Sequence, residues 1–150
     1  MTFNLRTFAL AALAAFASMT PALYAQNIIH AQVNVPFSFD YGTTHFGQGS
    51  YIITMSSQEA LVVRNRSTQQ TAMVLAQLDM SPIIATKSVV TFKKYGDRWF
   101  LEQVSVAGNG TKVSVCESKA ERRAASELAS RGGEATQVAL VLLPESAFGK

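Results

Sequence analysis

Apolar and polar residues alternate through most of residues 32–115, and this period of two constrains the fold more than any other feature. Side chains of a β-strand point alternately to opposite faces, so the pattern is typical of strands with one buried face. The first expected strand carries four apolar residues on one face: Val33, Val35, Phe37 and Phe39. Pro36 cannot donate to a ladder, so we expect this strand at an edge or with its proline on the unpaired side.

Further strands are expected at residues 50–55, 60–65 and 71–79, after a loop at residues 40–49 that contains three glycines. Residues 71–79 are largely apolar on both faces, which predicts a central strand covered on both sides. Residues 136–143 form a nearly continuous apolar run ended by Pro144. This run predicts a strand buried within the sheet.

The dipeptide Gly96-Asp97 predicts the best-defined hairpin of the chain. A glycine at the first central position suits a two-residue type II′ turn. Counting outward from the turn pairs three sets of residues: Lys94 with Trp99, Phe92 with Leu101, and Val90 with Gln103.

A second hairpin is expected at Asn109-Gly110, a strong type I′ signal. Its register would pair Val106 with Val113 and Val104 with Val115. Those valines have the opposite parity to the preceding hairpin, so a bulge is expected near residues 102–103.

The period changes after residue 117, where Ser118 and Glu121 form a capping-box pattern. A helix is therefore expected from Ser118 to about Arg131, ended by Gly132-Gly133. Its apolar stripe consists of Ala120, Ala124 and Leu128, flanked by Ala125 and Ala129; Arg122 and Arg123 would lie on a solvated face. Together these patterns predict a mainly β fold, a small antiparallel curled sheet or barrel of about 7–8 strands with one C-terminal α-helix.

Residues 1–25 have the layout of a secretory signal peptide. Arg6 is the only charge before an apolar run at residues 8–16, Pro21 follows, and small Ala25 stands at the expected cut. The run is too short for a bilayer of about 30 Å, which needs about 20 residues. A buried core helix is the alternative. We expect residues 26–150 to remain as a single β-rich domain, periplasmic or secreted, with no transmembrane segment.

The net charge and the distribution of basic residues narrow the possible partners. The 13 Lys and Arg become 12 without Arg6, against 10 Asp and Glu, which leaves a net charge of +2. The basic residues are scattered, so nucleic acid is not expected as a partner.

Cys116 is the single cysteine, so no intramolecular disulfide forms and the core must support the fold. We expect Cys116 to be buried; pairing with another chain is the alternative.

Four segments occur here in an order that is known from one group of proteins. They are Val35-Pro36-Phe37-Ser38-Phe39, Phe46 with Gly49-Ser50-Tyr51, Tyr95-Gly96-Asp97-Arg98-Trp99-Phe100-Leu101, and Ser118-Lys119-Ala120-Glu121-Arg122. Through them the chain resembles a family of small exported proteins of soil bacteria, acidobacteria in particular, over most of residues 33–123. Gly47 stands where that family usually has proline, and Ser105 where it often has tryptophan. The resemblance implies a Gram-negative source and a compact β domain with one C-terminal helix, and it brings no activity or catalytic residue.

Residues able to carry chemistry are few. His30 and His45 are the only histidines, and neither has a metal-binding spacing or a cysteine pair beside it. We therefore expect no catalytic residue, metal or cofactor. His30 should be solvent-exposed near the new N-terminus. The weak candidates for ligand binding are His45, Tyr51 and Trp99.

Two functional classes follow. The first is a non-catalytic exported binding or structural module of the cell envelope, which holds an apolar small molecule or contacts an envelope protein. The second is a small hydrolase-like enzyme that uses His45. An apolar cavity lined by Phe and Val would favour the first, and a carboxylate with a Ser or Cys within reach of His45 the second. We favour the first, with an interior core that includes Val35, Phe37, Phe92, Trp99 and Leu101, and any partner at residues 40–49.

Overall fold

The computed structural model describes residues 29–55, 59–80, 85–108 and 110–144, which form a mainly β structure. The expected signal segment, residues 1–25, lies outside the described residues. The elements are β1 Ile29–Val35, β2 Phe39–Tyr41, β3 Thr44–Phe46, β4 Gly49–Met55, β5 Ala60–Asn65, β6 Thr71–Met80, β7 Val89–Tyr95, β8 Arg98–Ser105, β9 Thr111–Val115, α1 Lys119–Ser130, β10 Thr136–Val141 and β11 Leu143–Pro144. The predicted class, a mostly antiparallel sheet with one helix near the C-terminus, is confirmed.

The described part of the sheet has eleven strands, more than expected, because three predicted segments are divided or contain extra pairing. Strand β1 ends one residue before Pro36, which has no N–H to donate, and the chain pairs again only at β2. Residues 40–49 are not a simple loop, since β2 and β3 form a short hairpin there. The predicted strand at residues 136–143 divides at Leu142 into β10 and β11.

The sheet is strongly bent but is not closed into a barrel, so the barrel alternative is wrong. Its strand order is β10-β7-β8-β9-β6-β5-β4-β1-β11. Strand β6 connects the two halves, because its first half pairs with β5 and its second half with β9. At one end of this order β10 pairs with β7, and at the other end β11 pairs with β1. In the sequence, only Leu142 separates β10 from β11. The chain thus changes its pairing partner from β7 to β1 at residues 141–143 and does not complete a ladder there. We call this junction the seam of the sheet.

The β7–β8 hairpin follows the sequence prediction closely. Lys94 pairs with Trp99 and Phe92 with Leu101, and Gly96 has the positive φ of 62° that the turn requires. The register then shifts so that Thr91 pairs with Gln103, which leaves Glu102 as the extra residue of a bulge. The bulge is confirmed where it was expected. Beyond it, Val90 pairs with Val104 and not with Gln103.

The register of β8 with β9 differs from the prediction. Val104 pairs with Val113, not with Val115. The N–H of Val106 donates to the carbonyl of Thr111 at 2.9 Å, so the connection has four residues, 107–110, and is not a two-residue turn. Gly108 and Gly110 both adopt positive φ, at 88° and 66°. The longer loop moves every pair by two residues and therefore keeps the valines on the inner face.

The inner faces of the bent sheet enclose a core of aliphatic and aromatic side chains. Its largest fully buried members are Tyr51, Phe46, Phe92, Ile53, Met55, Leu61 and Leu101. Six aromatic rings form a connected set of contacts, in which Phe39 contacts Phe46, Tyr51 and Phe92 at centroid distances of 4.9, 5.2 and 5.1 Å. The interior is thus filled by side chains, as is usual for a small curled sheet. Of the predicted core face, Val35, Phe92 and Leu101 are buried, whereas Phe37 and Trp99 are half-buried.

Three predictions of burial are wrong. Strand β6 is central, but Met73 and Leu75 on its outer face are 69% and 59% exposed, because α1 covers a different part of the sheet. Strand β10 pairs only with β7 within the described residues and is largely exposed, so it lies at an edge. Cys116 is exposed, since alternation places it on the face opposite to buried Val113.

Helix α1 begins and ends at the predicted signals. The Ser118 hydroxyl accepts a hydrogen bond from the N–H of Glu121 at 3.1 Å, which caps the first turn. At the other end Gly132, with φ of 71°, and Gly133 donate their N–H groups to the carbonyls of Ala129 and Leu128. These are the two bonds of a Schellman motif. The apolar stripe of the helix packs on the outer face of the β7–β8 hairpin.

Candidate functional site

Tyr51, one of the three candidate ligand residues, is a core residue. Its ring is fully buried against Phe39 and Phe46. Its hydroxyl donates to the carbonyl of Gly47 and is also hydrogen-bonded to Asn65. Burial raises the pKa of this hydroxyl, and the Asn65 contact partly opposes the shift. The polar group is satisfied inside the protein, so Tyr51 supports the fold and does not face a ligand.

Trp99 lies at the margin of the core. Its ring stacks on Phe37 with a centroid distance of 4.3 Å. The ammonium of Lys94, on the neighbouring strand β7, lies 5.3 Å from the centroid of the Trp99 ring. Phe37 in turn meets Phe92 edge-on at 5.3 Å. Trp99 therefore connects the short segment after β1 to the β7–β8 hairpin. This is a packing role, with one face of the indole covered by a cation.

His45 belongs to a charged cluster at the surface. Its Nδ1 lies 2.6 Å from Oδ1 of Asp40, which is its partner in the β2–β3 hairpin. The other oxygen of Asp40, Oδ2, accepts hydrogen bonds from Nε and Nη2 of Arg98 at 3.0 and 2.9 Å. Gln70 also donates its side-chain N–H to the His45 carbonyl at 2.9 Å. The carboxylate of Asp40 thus orients the side chains of both His45 and Arg98.

The geometry of this cluster meets only part of what an enzyme would need. An acceptor at Nδ1 directs a proton to that nitrogen of the neutral ring and leaves Nε2 as the basic atom. The His45 side chain is 69% exposed, however. Among the described residues, Asp40 is the only side chain hydrogen-bonded to the His45 ring. A carboxylate is therefore in place, whereas a Ser or Cys nucleophile is not seen beside it.

A cavity of about 360 Å³ opens at the seam of the sheet. Strand β1 contributes three residues, the positions just before β7 and just after β8 contribute one each, and the β10–β11 segment contributes two: Ile29, His30, Ala31, Ser88, Val106, Leu142 and Leu143. Five of these seven side chains are aliphatic. Ser88 helps to shape the cavity, since its carbonyl accepts from Leu142 N–H at 2.9 Å and its hydroxyl from Ala107 N–H at 3.0 Å.

A second, smaller cavity of about 230 Å³ lies between the β7–β8 turn and the C-terminal half of α1. Its lining carries charges of both signs: Asp97 and Glu127 are acidic, and Arg98 and Arg131 are basic. Arg98 is already held by Asp40. This surface therefore has the mixed character of an ordinary helix–turn junction.

Neither cavity is lined by His45, Tyr51 or Trp99, so the structure does not unite the three candidates in one site. Sequence reasoning missed Ser88 and Val106 as cavity residues and Arg98 as a partner of Asp40. Arg98 is 58 residues from Asp40, and only the parallel pairing of β2 with β8 brings them together. His30 is exposed as expected, and its Nδ1 lies 3.4 Å from the Thr54 hydroxyl.

Metal sites and membrane-spanning helices are two further features to consider in the described part of the chain. No group of three or more His, Cys, Asp or Glu side chains is placed there to hold a metal ion. No helix in the same residues combines the length and apolar character needed to cross a membrane.

Comparison with known proteins gave no match to a family model, a curated protein or a solved structure. The resemblance to exported proteins of soil bacteria therefore stays a prediction, and any functional proposal rests on the geometry alone.

Proposed function

We propose that this protein is a non-catalytic, exported binding module whose ligand is a small, predominantly apolar molecule held in the seam cavity. The observation that carries the proposal is the mainly aliphatic lining of a 360 Å³ cavity at the point where the sheet is left open. Binding sites for small molecules are typically concave, of about 300–1,000 Å³, and apolar with few polar groups.

The shape of the seam supports this assignment. The chain leaves its pairing with β7 at Val141 and begins pairing with β1 at Leu143, so no ladder fills the space between them. Apolar surface left facing water is unfavourable by roughly 25 cal/mol per Å². A molecule that covers Ala31, Val106 and Leu143, which all keep exposed surface, would recover part of that free energy. His30 and Ser88 provide two polar groups at the cavity wall.

The proposal differs from the sequence-based expectation in where the ligand lies. The sequence-based expectation placed any partner at residues 40–49, whereas the seam cavity combines residues from four separate parts of the chain. The Phe-rich and Val-rich interior is occupied by its own side chains. The ligand would therefore sit at the rim of the core and not inside it.

The test is titration of the purified protein with N-phenyl-1-naphthylamine, an uncharged dye that fluoresces in apolar sites. Val106→Phe should fill the cavity and weaken dye binding at least tenfold, with an unchanged circular-dichroism spectrum. Leu75→Phe is the matched control, because Leu75 is an exposed apolar residue on the outer face of β6. Equal binding by both variants, or none by the unchanged protein, would contradict the proposal.

A second candidate, an acid–base enzyme, is favoured by one observation, the Asp40 carboxylate at 2.6 Å from His45 Nδ1. Hydrolysis of p-nitrophenyl acetate by the purified protein and by His45→Ala decides between the two. A rate that falls to the uncatalysed level in His45→Ala would support the enzyme. Equal rates in both would support the binding module.

A further inference from the structure

A buried carboxyl group lies under the N-terminal turn of α1. Glu121 is only 4% exposed and faces the outer surface of the β7–β8 hairpin. It is joined to Ser118 in both directions: its N–H donates to the Ser118 hydroxyl, and its carboxylate accepts from the Ser118 backbone N–H. Both halves of the capping box are thus formed, and the second half fixes the carboxyl group at the helix–sheet interface.

The charges around Glu121 are mostly negative. Strand β7 contributes Lys93 and the hydroxyl of Tyr95, β8 contributes Glu102, and the segment before the helix contributes Glu117. The single ammonium in this group is shared, because Lys93 Nζ lies 3.6 Å from Oε1 of Glu102. One cation therefore faces three carboxyl groups. Burial, reinforced by the Glu117 charge, raises the pKa of Glu121 to about 7.

The apolar contacts that hold α1 are small. Ala124 is buried against Tyr95 and Phe100, whose rings meet edge-on at 5.8 Å. The remaining contacts come from Ala120, Ala125 and Leu128. Three of these four helix residues are alanines, which remove little apolar area each. The charge state of one buried carboxyl group can therefore weigh heavily in whether the helix stays docked.

We propose that protonation of Glu121 controls the docking of α1 on the β7–β8 hairpin: the helix packs firmly while the carboxyl group is neutral and loosens when it ionises. The sign follows from linkage. The pKa of Glu121 in the folded protein, about 7, exceeds its ordinary value of 4.5. The stabilisation is therefore complete below about pH 4.5, declines above it, and is lost as the pH rises through about 7. Loosening of α1 would uncover the rings of Tyr95 and Phe100.

Amide hydrogen exchange of α1 tests this proposal, since it reports local opening. In the unchanged protein, protection of the amides from Ala124 to Leu128, corrected for intrinsic exchange, should fall at least tenfold between pH 5 and pH 8.5. In Glu121→Gln, which keeps a neutral side chain of the same size, it should stay constant. Glu127→Gln on the exposed face of the same helix is the control and should behave as the unchanged protein.

A second variant keeps the test decisive if Glu121→Gln does not fold. Glu117→Gln removes a negative charge next to Glu121 and should shift the fall in protection to lower pH. Carboxyl carbon chemical shifts of Glu121 should follow the same midpoint in each protein. Protection that is independent of pH in the unchanged protein, or a midpoint unmoved in Glu117→Gln, would overturn the proposal.

Discussion

His45 and Asp40 face each other across the β2–β3 hairpin, with Nδ1 of the ring 2.6 Å from Oδ1 of the carboxylate. Asp40 is the more important of the two for the fold, because it also accepts two hydrogen bonds from Arg98 on β8. The Asp40 side chain is largely buried, whereas that of His45 is largely exposed. Asp40 therefore bridges β2 and β8 through Arg98, whereas His45 is an exposed residue that contacts it from β3.

This difference predicts unequal effects of two alanine variants. Asp40→Ala should lower the free energy of unfolding by on the order of 1–2 kcal/mol, because Arg98 loses its acceptor. His45→Ala should change it by less than about 0.5 kcal/mol, because the His45 side chain is largely exposed and buries little surface. Urea denaturation at low and high salt measures both. Equal losses in the two variants would contradict the assigned role of Asp40.

Phe92 and Trp99 both contact Phe37, but they differ in burial. Phe92 lies wholly inside the core, so Phe92→Ala should cost about 3–5 kcal/mol through the cavity it leaves. Trp99 is half-buried, so Trp99→Ala should cost about 2 kcal/mol. Thermal or urea unfolding of the two variants provides the comparison. A larger loss for Trp99→Ala would mean that its stacking on Phe37 matters more than core burial.

The cap of α1 can be tested independently of its pH response. Ser118→Ala removes the acceptor for the Glu121 N–H and should cost about 1 kcal/mol. Ser130→Ala is a suitable control, because the Ser130 hydroxyl donates to the Glu127 carbonyl at the exposed far end of the helix and caps no N–H group of the first turn. An unchanged unfolding midpoint in Ser118→Ala would argue against the cap.

Export is tested by the mass of the secreted product. Cleavage after Ala25 should give a protein that begins at Gln26, with residues 1–25 removed. Ala25→Phe should block processing, because the cut requires a small residue at that position. Recovery of protein that still begins at Met1 from cells expressing the unchanged sequence would show that the segment is not a signal peptide.

Local features of the fold were predictable because short-range stereochemistry determines them. The turn at Gly96 and the register from Lys94 to Trp99 depend on positive φ and on strand alternation over a few residues. The helix limits depend on the Ser118 cap and on Gly132 in the left-handed region. Each of these signals acts within one turn or one hairpin. The bulge at Glu102 was also accessible, since it follows from the parity of two neighbouring hairpins.

By itself the sequence determined the mainly β class, the position of the helix and the inner face of most strands, because alternation and capping are local properties of the chain. Only the tertiary structure decided which faces are covered. Leu75 and Val141 are exposed because no element packs over them in the described residues, and an apolar pattern cannot show where a helix will dock. The Asp40–Arg98 bridge and the seam cavity arise from contacts between distant segments, which depend on how the sheet bends and where Leu142 divides its last strand.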